Sequence, residues 1–310
     1  KRSHSTENST LRTRRPRRCL FNVPGSEERK INKALTSLKN VDSLVFDLED
    51  GVAISKKEHA RELVVKTLMG LEKDNAQEHV VRINSYESPF FEDDLKALAP
   101  ALPKIDAILL PKADSAKQIQ DLATYISNTF KDDIGNTIKI LPAIESAKAL
   151  VTLNDILSAS PLVDAVIFGS EDYTADVGAT RTKACTELLY ARTAIVTHAA
   201  ALGLPAIDLV CINYKDPDQL KHECAEGYNL GFAGKQAIHP NQIDIINESF
   251  CPPEKDIEFA KKIIIANDRN QTIGKGAWEI DGKMIDMPMV RWASNTLAKA
   301  KISKESVLAQ

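Results

Sequence analysis

The stretch "SLVFDLEDG" (43–51) joins a short apolar run to three carboxylates. Short runs of branched and aromatic residues are typical of a buried strand, whereas clustered carboxylates repel one another and require water, a metal ion or a cation. The same pattern recurs in "DAVIFGSED" (164–172), which ends in two more acidic residues. Buried strands that end in carboxylates indicate a fold in which strand ends build a functional site.

Apolar runs of this kind occur eight times along the chain. They lie at 18–25, 43–51, 79–84, 107–113, 138–146, 164–172, 204–212 and 234–240. The runs are continuously apolar rather than alternating, as expected of strands that are buried on both faces. Helical patterns lie between them, and this alternation predicts an α/β fold, a (β/α)₈ TIM barrel. An open doubly wound sheet is disfavoured because no GxGxxG motif follows any run.

The helical patterns carry start and stop signals. The predicted helices span 26–39, 55–69, 115–130, 146–158 and 181–202. Ser26 is expected to cap the first helix, and Ser55 with Glu58 is expected to form a capping box at the start of the second. The helix at 181–202 has the clearest apolar period, and Gly203 is expected to end it.

The composition excludes several classes of protein. Of the 310 residues, 43% are hydrophobic and 27% are charged, which is ordinary for a globular protein. No apolar run reaches about 18 residues, so no membrane span is expected. The net charge of −3, without a long basic face, argues against nucleic acid as a partner. The five cysteines form no CxxC pair, which argues against a zinc site or a disulfide framework.

The start of the chain differs from the barrel region, which we expect at 17–250. Residues 1–16 are basic, rich in Ser and Thr, and nearly free of apolar side chains. This composition is typical of an organelle-targeting leader. We therefore expect a disordered segment that directs the protein to the mitochondrial matrix.

The region at 251–310 is predicted to form an extension of the barrel. Its expected elements are a helix at 253–269, a hairpin at 276–288 and a helix at 288–302. Asp281-Gly282 is a type I′ turn signal in the hairpin. Because a barrel does not need this piece for closure, we expect a lid that packs on a neighbouring subunit.

Two carboxylates are predicted to meet at the carboxyl ends of adjacent strands, where barrel enzymes carry their active sites. Glu145 ends the fifth run and Asp172 the sixth, and neighbouring strands lie about 4.8 Å apart. Two carboxylates with open positions suit Mg²⁺, and the lack of clustered His or Cys argues against zinc. Strand alternation would turn Glu171 away from Asp172, but the spacing leaves open which of the two binds the ion. Each acid could instead cap a helix or pair with a cation.

Three further residues stand at predicted strand ends. Arg82 could anchor a carboxylate or an oxygen that gains negative charge, could pair with the acids that follow the second strand, or could do both. Lys112 could form a Schiff base, although a metal pair already supplies an electron sink. His239 is either a hydrogen-bonded loop residue or a catalytic group. A metal, an arginine and a crowded barrel mouth indicate carbon–carbon chemistry on an α-keto acid.

Seven motifs occur in a fixed order: "LFNVPG", "DLEDGV", "VRIN", "LPK", "PAIES", "GSEDYTADVGA" and "GKQAIHPNQI". Together they resemble the citrate lyase β-subunit-like family of Mg-dependent aldolases that act on CoA thioesters, over roughly residues 17–302. The segment "GKGAWEIDGKMIDMP" is most similar to the animal mitochondrial branch. The resemblance implies a TIM barrel that cleaves (S)-citramalyl-CoA to acetyl-CoA and pyruvate. A malate or methylmalate synthase, which condenses an acyl-CoA with a keto acid and hydrolyses the thioester, is the alternative.

The resemblance also assigns the metal site. Glu145 and Asp172 match the Mg²⁺ ligands of the family, which decides for Asp172 over Glu171. Glu49 and Asp50 are then expected to lie behind these ligands and to position the water molecules that the metal binds. Arg82 matches a substrate-binding arginine that would stabilise developing negative charge.

A second set of matched residues concerns the CoA arm. Arg29 and Lys33, after "VPGSEE", match basic residues that hold CoA, and Arg29 stands where close relatives have Lys. Ile238 and His239 match a backbone and a side-chain contact to the same arm. Asn22 stands where close relatives have Tyr against the CoA, so stacking at that position is expected to be lost.

Asp286, in "MIDMP", matches a catalytic acid/base that reaches the neighbouring active site in trimeric family members. The resemblance thus implies a homotrimer, with protonated Asp286 delivering a proton to the enolate carbon. From the sequence alone, helix capping is the plainer role for this acid. Two other readings are a citryl lyase subunit that depends on an acyl carrier, and a barrel retained as a binding or structural subunit. The animal-like segment disfavours the first, and the presence of the matched metal, arginine and acid residues disfavours the second.

Overall fold

The computed structural model describes residues 16–72, 77–129, 138–272, 277–300 and 307. The leader predicted at 1–16 lies outside these residues except for Pro16. Three other predicted elements extend slightly beyond the described residues. They are the helix at 115–130 by its last residue, the hairpin at 276–288 by its first residue, and the helix at 288–302 by its end. Arg17–Phe250 form one compact unit, and the chain from Cys251 onward belongs to another.

The first unit is a closed barrel of eight parallel strands in chain order. They are β1 (Cys19–Pro24), β2 (Ser43–Asp47), β3 (Glu78–Arg82), β4 (Ala107–Leu110), β5 (Lys139–Ile144), β6 (Val166–Phe168), β7 (Ala206–Asp208) and β8 (Gly234–Ala237). Pairing of Leu20 in β1 with Gln236 in β8 closes the ring. The predicted (β/α)₈ TIM barrel is confirmed.

Apolar side chains cover both faces of this sheet. A cluster of ten residues from alternate strand positions fills the barrel interior: Leu20, Val45, Val80, Ala107, Leu109, Leu141, Ala143, Ala165, Ile167 and Ile207. A larger apolar cluster packs the outer face of the strands against the helices. Burial on both faces explains why the strand sequences are continuously apolar.

Ten helices surround the barrel within the described residues. They are α1 (Glu28–Ser37), α2 (Lys57–Gly70), α3 (Phe91–Leu98), α4 (Ala116–Thr129), α5 (Ala147–Val151), α6 (Leu153–Ser158), α7 (Ser170–Asp176), α8 (Leu189–Ala201), α9 (Pro217–Leu230) and α10 (Ile243–Ser249). Short 3₁₀ turns at Ile54–Lys56 and Pro240–Gln242 lie in two of the loops at the carboxyl ends of the strands.

Two predicted helix starts are wrong. The N-cap of α1 is Glu27 rather than Ser26, and no side chain caps it. The capping box expected from Ser55 and Glu58 does not form, because Ser55 lies inside the 3₁₀ turn that precedes α2. Lys57, buried at the start of α2, donates to two backbone carbonyls of the loop after β2 at 2.7 and 2.8 Å. A tertiary contact, not a local cap, therefore fixes this helix start.

Two other predicted helices differ in length. Only part of the helix predicted at 181–202 is α-helical, namely α8. Cys185 takes a left-handed φ of 53°, and the chain before it is not helical. Gly203, with a φ of 65°, follows the end of α8 as predicted. The helix predicted at 146–158 divides into α5 and α6 at Thr152, whose hydroxyl donates to the carbonyl four residues earlier.

The acidic residues lie beyond the strands rather than in them. β6 ends at Phe168, and Glu171 and Asp172 occupy the first turn of α7. Strand alternation therefore does not set the directions of these two side chains, contrary to the prediction. Negative charge is favoured in this position by the amino-terminal end of the helix.

The second unit contains α11 (Glu254–Thr272), β9 (Trp278–Ile280), β10 (Lys283–Ile285) and α12 (Met287–Lys299). The hairpin turn has positive φ at both Asp281 (50°) and Gly282 (76°), as a type I′ turn requires, so this prediction is confirmed. Its own apolar cluster contains Ile263, Ile285 and Leu297. None of the helices within the described ranges combines the length and apolarity needed to cross a lipid bilayer.

Candidate active site

A cavity of about 620 Å³ opens at the carboxyl-terminal ends of the barrel strands. Its lining includes Asn22 of β1, Asp47 of β2, Arg82 of β3, Glu145 after β5 and Asp172 of α7. Each of these residues lies in the carboxyl-terminal half of a strand or follows a strand within four residues, so the closed barrel brings them to a common mouth. The cavity therefore contains the predicted metal ligands and the predicted arginine.

Arg82 is held by two buried carboxylates. Its Nε and Nη2 each donate to one oxygen of Asp47 at 2.7 Å, and its Nη1 lies 3.0 Å from Glu49 Oε2. Asp47 also accepts the backbone N–H groups of Glu49 and Gly51 at 2.8 and 2.9 Å, which fixes the loop after β2. Burial acts to lower the pKa of Arg82, but the bonds to Asp47 outweigh it and the pKa is raised. The guanidinium is thus permanently charged and points into the cavity.

Glu145 is the most deeply buried acid of the proposed metal pair, with 7% exposure. Its Oε2 accepts the backbone N–H of Lys112 at 3.0 Å. Gly169 leaves the room that its carboxylate occupies, since a Cβ there would lie 2.8 Å from the Glu145 carboxyl carbon. Burial, followed by the charges of Glu49 and Asp172, raises the pKa of Glu145 to about 8. A cation at this carboxylate would reverse that effect.

Asp172 and Glu171 face different partners. Asp172 Oδ1 lies 3.9 Å from Lys112 Nζ, which also contacts Glu49. Glu171 instead lies 3.5 Å from Arg181 Nη1 and accepts the hydroxyl of Ser170 at 3.0 Å. Asp172 thus belongs to the acidic cluster of the cavity, whereas Glu171 is engaged with a cation outside that cluster.

Lys112 does not have the environment of a Schiff-base lysine. Burial acts to lower its pKa, but its hydrogen bond to Glu49 and the neighbouring acidic charges outweigh this, and the pKa is raised. A nucleophilic lysine requires the neutral amine, which a lowered pKa would supply. The structure therefore disfavours the Schiff-base alternative.

The residues present fit a magnesium ion. Among the described residues, no three His, Cys, Asp or Glu side chains come together as a ready-made metal cage. Mg²⁺ is commonly bound by one or two carboxylates and keeps several water or substrate oxygens, so a full protein cage is not required. Glu145 and Asp172 supply such oxygens, and the room left by Gly169 keeps the first of them in place.

The residues predicted to hold CoA are only partly on the cavity lining. Lys33, Ile238 and His239 line it, whereas Arg29 does not, and Lys30 takes its place. Lys30 was not among the predicted residues, because the family motifs pointed to Arg29 and Lys33. The spacing alone does not separate Lys30 from Arg29, since residues three and four positions before Lys33 both lie on its helical face.

Two polar side chains of the lining have distinct surroundings. His239 caps the 3₁₀ turn that follows it, since its Nδ1 accepts the N–H of Asn241 at 3.2 Å, and its ring stacks on Tyr214 with centroids 4.7 Å apart. Asn22 carries a buried Oδ1 without a hydrogen-bond partner among the described residues. A buried polar atom without a partner is costly, so this oxygen is available to a ligand.

Asp286 belongs to the second unit, where it caps α12. Its Oδ1 accepts the backbone N–H of Met289 at 3.2 Å, and the residue is exposed. The capping role considered from the sequence is therefore present. Capping engages one oxygen and leaves the rest of the carboxyl group open to solvent.

The fold and the cavity define a class of protein: a (β/α)₈ barrel with a cluster of carboxylates at its mouth that fits a divalent cation. Residues 18–240 match the family model HpcH/HpaI aldolase/citrate lyase. The chain is 41% identical over 299 residues to mitochondrial citramalyl-CoA lyase of Homo sapiens, covering 94% of this chain and 87% of that protein. The chain belongs to the HpcH/HpaI aldolase/citrate lyase family, as the motifs predicted.

Two further comparisons extend this result. Citrate lyase subunit beta of Escherichia coli K12 is 32% identical over 296 residues, covering 94% of this chain and 96% of that protein. The crystal structure of CitE from Mycobacterium tuberculosis, in complex with magnesium, acetoacetate and coenzyme A, matches with a TM-score of 0.73 at 27% identity. That match covers 92% of this chain and 98% of the other.

Proposed function

We propose that this protein is a Mg²⁺-dependent carbon–carbon lyase that cleaves (S)-citramalyl-CoA to acetyl-CoA and pyruvate. One observation carries the proposal: Glu145, Asp172 and Arg82 share a cavity in a chain that is similar, over 94% of its length, to a citramalyl-CoA lyase. Similar lyases from human, rat and mouse favour cleavage over the alternative synthase activity.

Glu145 and Asp172 would hold the Mg²⁺, and Glu49 and Asp50 would orient its water ligands. When bound, the ion supplies a Lewis acid that stabilises negative charge on a substrate oxygen. A magnesium-containing structure in the same family supports this choice of metal. The oxygen-only donor set of the cluster supports it independently.

The cleavage would follow retro-aldol chemistry. A general base would take the proton of the tertiary hydroxyl group, and the alcohol carbon would become the carbonyl of pyruvate as the carbon–carbon bond breaks. The electron pair of that bond remains on the acetyl thioester as an enolate. Arg82, whose orientation is fixed by Asp47, would stabilise the negative charge as it develops in the cavity.

The CoA arm would lie along the rim formed by α1 and the loop after β8. Lys33, with Lys30 one turn before it, would bind phosphate groups, and Ile238 and His239 would contact the pantetheine arm. Arg29, exposed on α1, would reach a phosphate beyond the lining. Asn22 would accept a hydrogen bond through its unpaired Oδ1 instead of stacking as a tyrosine would.

Asp286 would complete the reaction by protonating the enolate carbon of acetyl-CoA. The residue lies in the extension at 251–310, which we propose as a lid that packs on a neighbouring subunit of a homotrimer. The motif "MIDMP" and the exposed carboxylate of Asp286 support this role.

Asp286→Asn is expected to lower turnover by about 10²–10⁴-fold, because asparagine keeps an oxygen for the cap of α12 but cannot deliver a proton. Mg²⁺ and CoA binding are expected to stay at wild-type levels, as measured by calorimetry. Asp281→Asn, in the exposed turn of the same hairpin, serves as the matched control and should keep full turnover. Turnover of the Asp286 variant within tenfold of wild type would contradict the proton-donor role.

The first test of the activity is an end-point assay with purified full-length protein. Incubation with (S)-citramalyl-CoA is expected to produce acetyl-CoA and pyruvate in equal amounts with Mg²⁺, and neither product after chelation. Release of free CoA from acetyl-CoA and glyoxylate, without cleavage of citramalyl-CoA, would establish the synthase instead. The two results differ in their products, so a single chromatographic analysis separates them.

We also propose that the protein works in the mitochondrial matrix. The support is the word "mitochondrial" in the names of the human, rat and mouse relatives, together with the basic composition of 1–16. Co-fractionation of the protein with a matrix marker is the expected result. Recovery in the cytosolic fraction alone would contradict the proposal.

A further inference from the structure

Lys112 occupies a backbone conformation that favours glycine. It follows β4 by two residues and has a φ of 49°, in the left-handed region that few side chains adopt without cost. The conformation directs its backbone N–H at Glu145 Oε2, 3.0 Å away. A long side chain at such a position indicates that the side chain itself contributes something that glycine could not.

The ammonium group of Lys112 faces three carboxylates. Nζ lies 3.0 Å from Glu49 Oε1, 3.6 Å from Asp50 Oδ2 and 3.9 Å from Asp172 Oδ1. Two of these acids come from the loop after β2 and one from α7. A single lysine thus connects the loop after β2 to the first turn of α7, whose like charges would otherwise repel each other.

Neither of the other two cations near the cluster, Arg82 and Lys57, pairs with Asp50 or Asp172. Arg82 is bonded to Asp47 and Glu49, and Lys57 donates to backbone carbonyls and to Asn84 at 2.7 Å. Among the ion pairs of the described residues, Lys112 is the only cation within 4.0 Å of Asp50 or Asp172. The negative charge on this side of the cavity therefore depends on Lys112 for its balance.

We propose that Lys112 is a positioning residue that assembles the metal site. Its ammonium acts as an internal counter-cation that holds Glu49, Asp50 and Asp172 together before Mg²⁺ arrives. Its backbone N–H fixes Glu145, the other ligand. The inference rests on the proposed Mg²⁺ function and adds a residue to it that the family motifs did not assign.

Lys112 and Mg²⁺ compete for the same carboxylates, and this competition decides whether loss of the lysine tightens or weakens Mg²⁺ binding. Mg²⁺ must displace the ammonium from the carboxylates, so the lysine weakens metal binding while it stabilises the metal-free protein. Without the ammonium, the carboxylates repel one another more strongly in the metal-free protein and bind Mg²⁺ more tightly. A residue that served only to shape the site would have the opposite effect, since its loss would weaken metal binding.

Lys112→Met keeps the length of the side chain and removes its charge. We expect the Kd for Mg²⁺, measured by titration calorimetry without substrate, to fall by about five- to tenfold. The melting temperature of the metal-free protein is expected to fall by roughly 2–4 °C, because the variant lacks the ion pairs of the Lys112 ammonium group. The rise in melting temperature on saturation with Mg²⁺ should increase accordingly.

Three further variants complete the experiment. Lys112→Arg keeps a cation and should bind Mg²⁺ within about twofold of wild type, since the charge is what matters. Lys112→Gly suits the left-handed backbone, keeps the N–H and should bind Mg²⁺ as tightly as Lys112→Met, which tests the role even if the methionine variant folds poorly. Lys117→Met removes an exposed lysine that pairs with Asp121 on α4, away from the cavity lining, and should leave Mg²⁺ binding unchanged.

The outcomes separate this inference from the proposed function. Mg²⁺ binding by Lys112→Met and Lys112→Gly that is equal to or weaker than that of wild type would overturn the counter-cation role alone. A wild-type protein that binds no Mg²⁺ would overturn both the metal site and this role. Tighter binding in both variants, with an unchanged Lys117→Met control, would establish it.

Discussion

Glu145→Gln is expected to abolish Mg²⁺ binding and to lower turnover at least about a thousandfold. Glutamine has nearly the same shape and still accepts the backbone N–H of Lys112, but it carries no charge for the ion. Only Asp172, which is half exposed, would then remain of the proposed pair. Calorimetry with Mg²⁺ and the citramalyl-CoA cleavage assay measure the two losses directly.

The same substitution is expected to stabilise the metal-free protein in alkaline solution. The pKa of Glu145 is about 8 in the folded chain against an ordinary 4.5, so the folded state holds its proton where the unfolded chain has lost it. Stability of the metal-free wild type therefore falls as pH rises from about 4.5 to 8, at up to about 1.4 kcal/mol per pH unit. Glutamine removes this loss, so the two proteins should unfold alike near pH 4.5 and differ by a few kcal/mol at pH 9.

Urea denaturation in the presence of a chelator at pH 5, 7 and 9 measures this difference. Glu171→Gln is the matched control, because Glu171 lines the same cavity beside Asp172 but pairs with Arg181. The control should bind Mg²⁺ within about twofold of wild type. Mg²⁺ binding by Glu145→Gln within tenfold of wild type would contradict the assignment of the ligand.

The barrel could be predicted from the sequence because one physical cause acts on every strand. A strand covered by helices outside and by its neighbours' side chains inside must be apolar throughout, and all eight runs contain or overlap a strand. The ends of the strands were less predictable. β6 has only three residues, because hydrogen bonding rather than hydropathy ends a strand, and the acids after it begin a helix.

Local helix signals were reliable only where tertiary contacts agreed with them. Gly203 and the Asp281-Gly282 pair have the left-handed conformations that their positions require. Ser55 failed as a cap because the buried ammonium of Lys57 ties the preceding loop to the start of α2. A contact of that kind joins residues that no local sequence pattern relates.

Part of the site could be predicted from the order of the βα units along the chain. Glu145 and Asp172 come from consecutive βα units, and consecutive strands of a barrel are neighbours, so their approach could be predicted without coordinates. The left-handed backbone conformation of Lys112 could not be predicted, because no residue in "LPKA" is typical of that conformation. Lys30 could not be separated from Arg29 by spacing, because residues three and four positions before Lys33 both lie on its helical face.

Arg82→Met is expected to cause the largest loss of stability, about 3–5 kcal/mol in the free energy of unfolding. The guanidinium makes two hydrogen bonds to Asp47 and a third contact to Glu49, and both acids are buried. Removing it leaves the buried Asp47 without its cation and Glu49 with Lys112 alone, whereas methionine replaces only the apolar part of the side chain. Urea denaturation at pH 7.5 measures this loss.

The same variant is expected to lower turnover by about 10²–10³-fold, because the charge that would stabilise the developing enolate is gone. A structural collapse of the cavity could lower turnover as well, so a second variant is required. Asp47→Asn combined with Arg82→Met removes the carboxylate that has lost its cation and should recover part of the stability. Turnover should remain low, since the cation is still absent.

Arg61→Met provides the control for loss of an arginine in general. Arg61 pairs with the buried Asp94 through a single contact of 3.2 Å, away from the cavity lining. Asp94 also accepts the backbone and side-chain N–H groups of Asn84 at 2.7 Å, so it keeps partners when Arg61 is removed. We expect a smaller loss of stability, about 1–2 kcal/mol, and normal turnover.

Recovery of turnover in the Asp47→Asn/Arg82→Met protein would show that Arg82 only holds the loop after β2. A group that stabilises the enolate directly cannot be replaced by a second substitution at its partner.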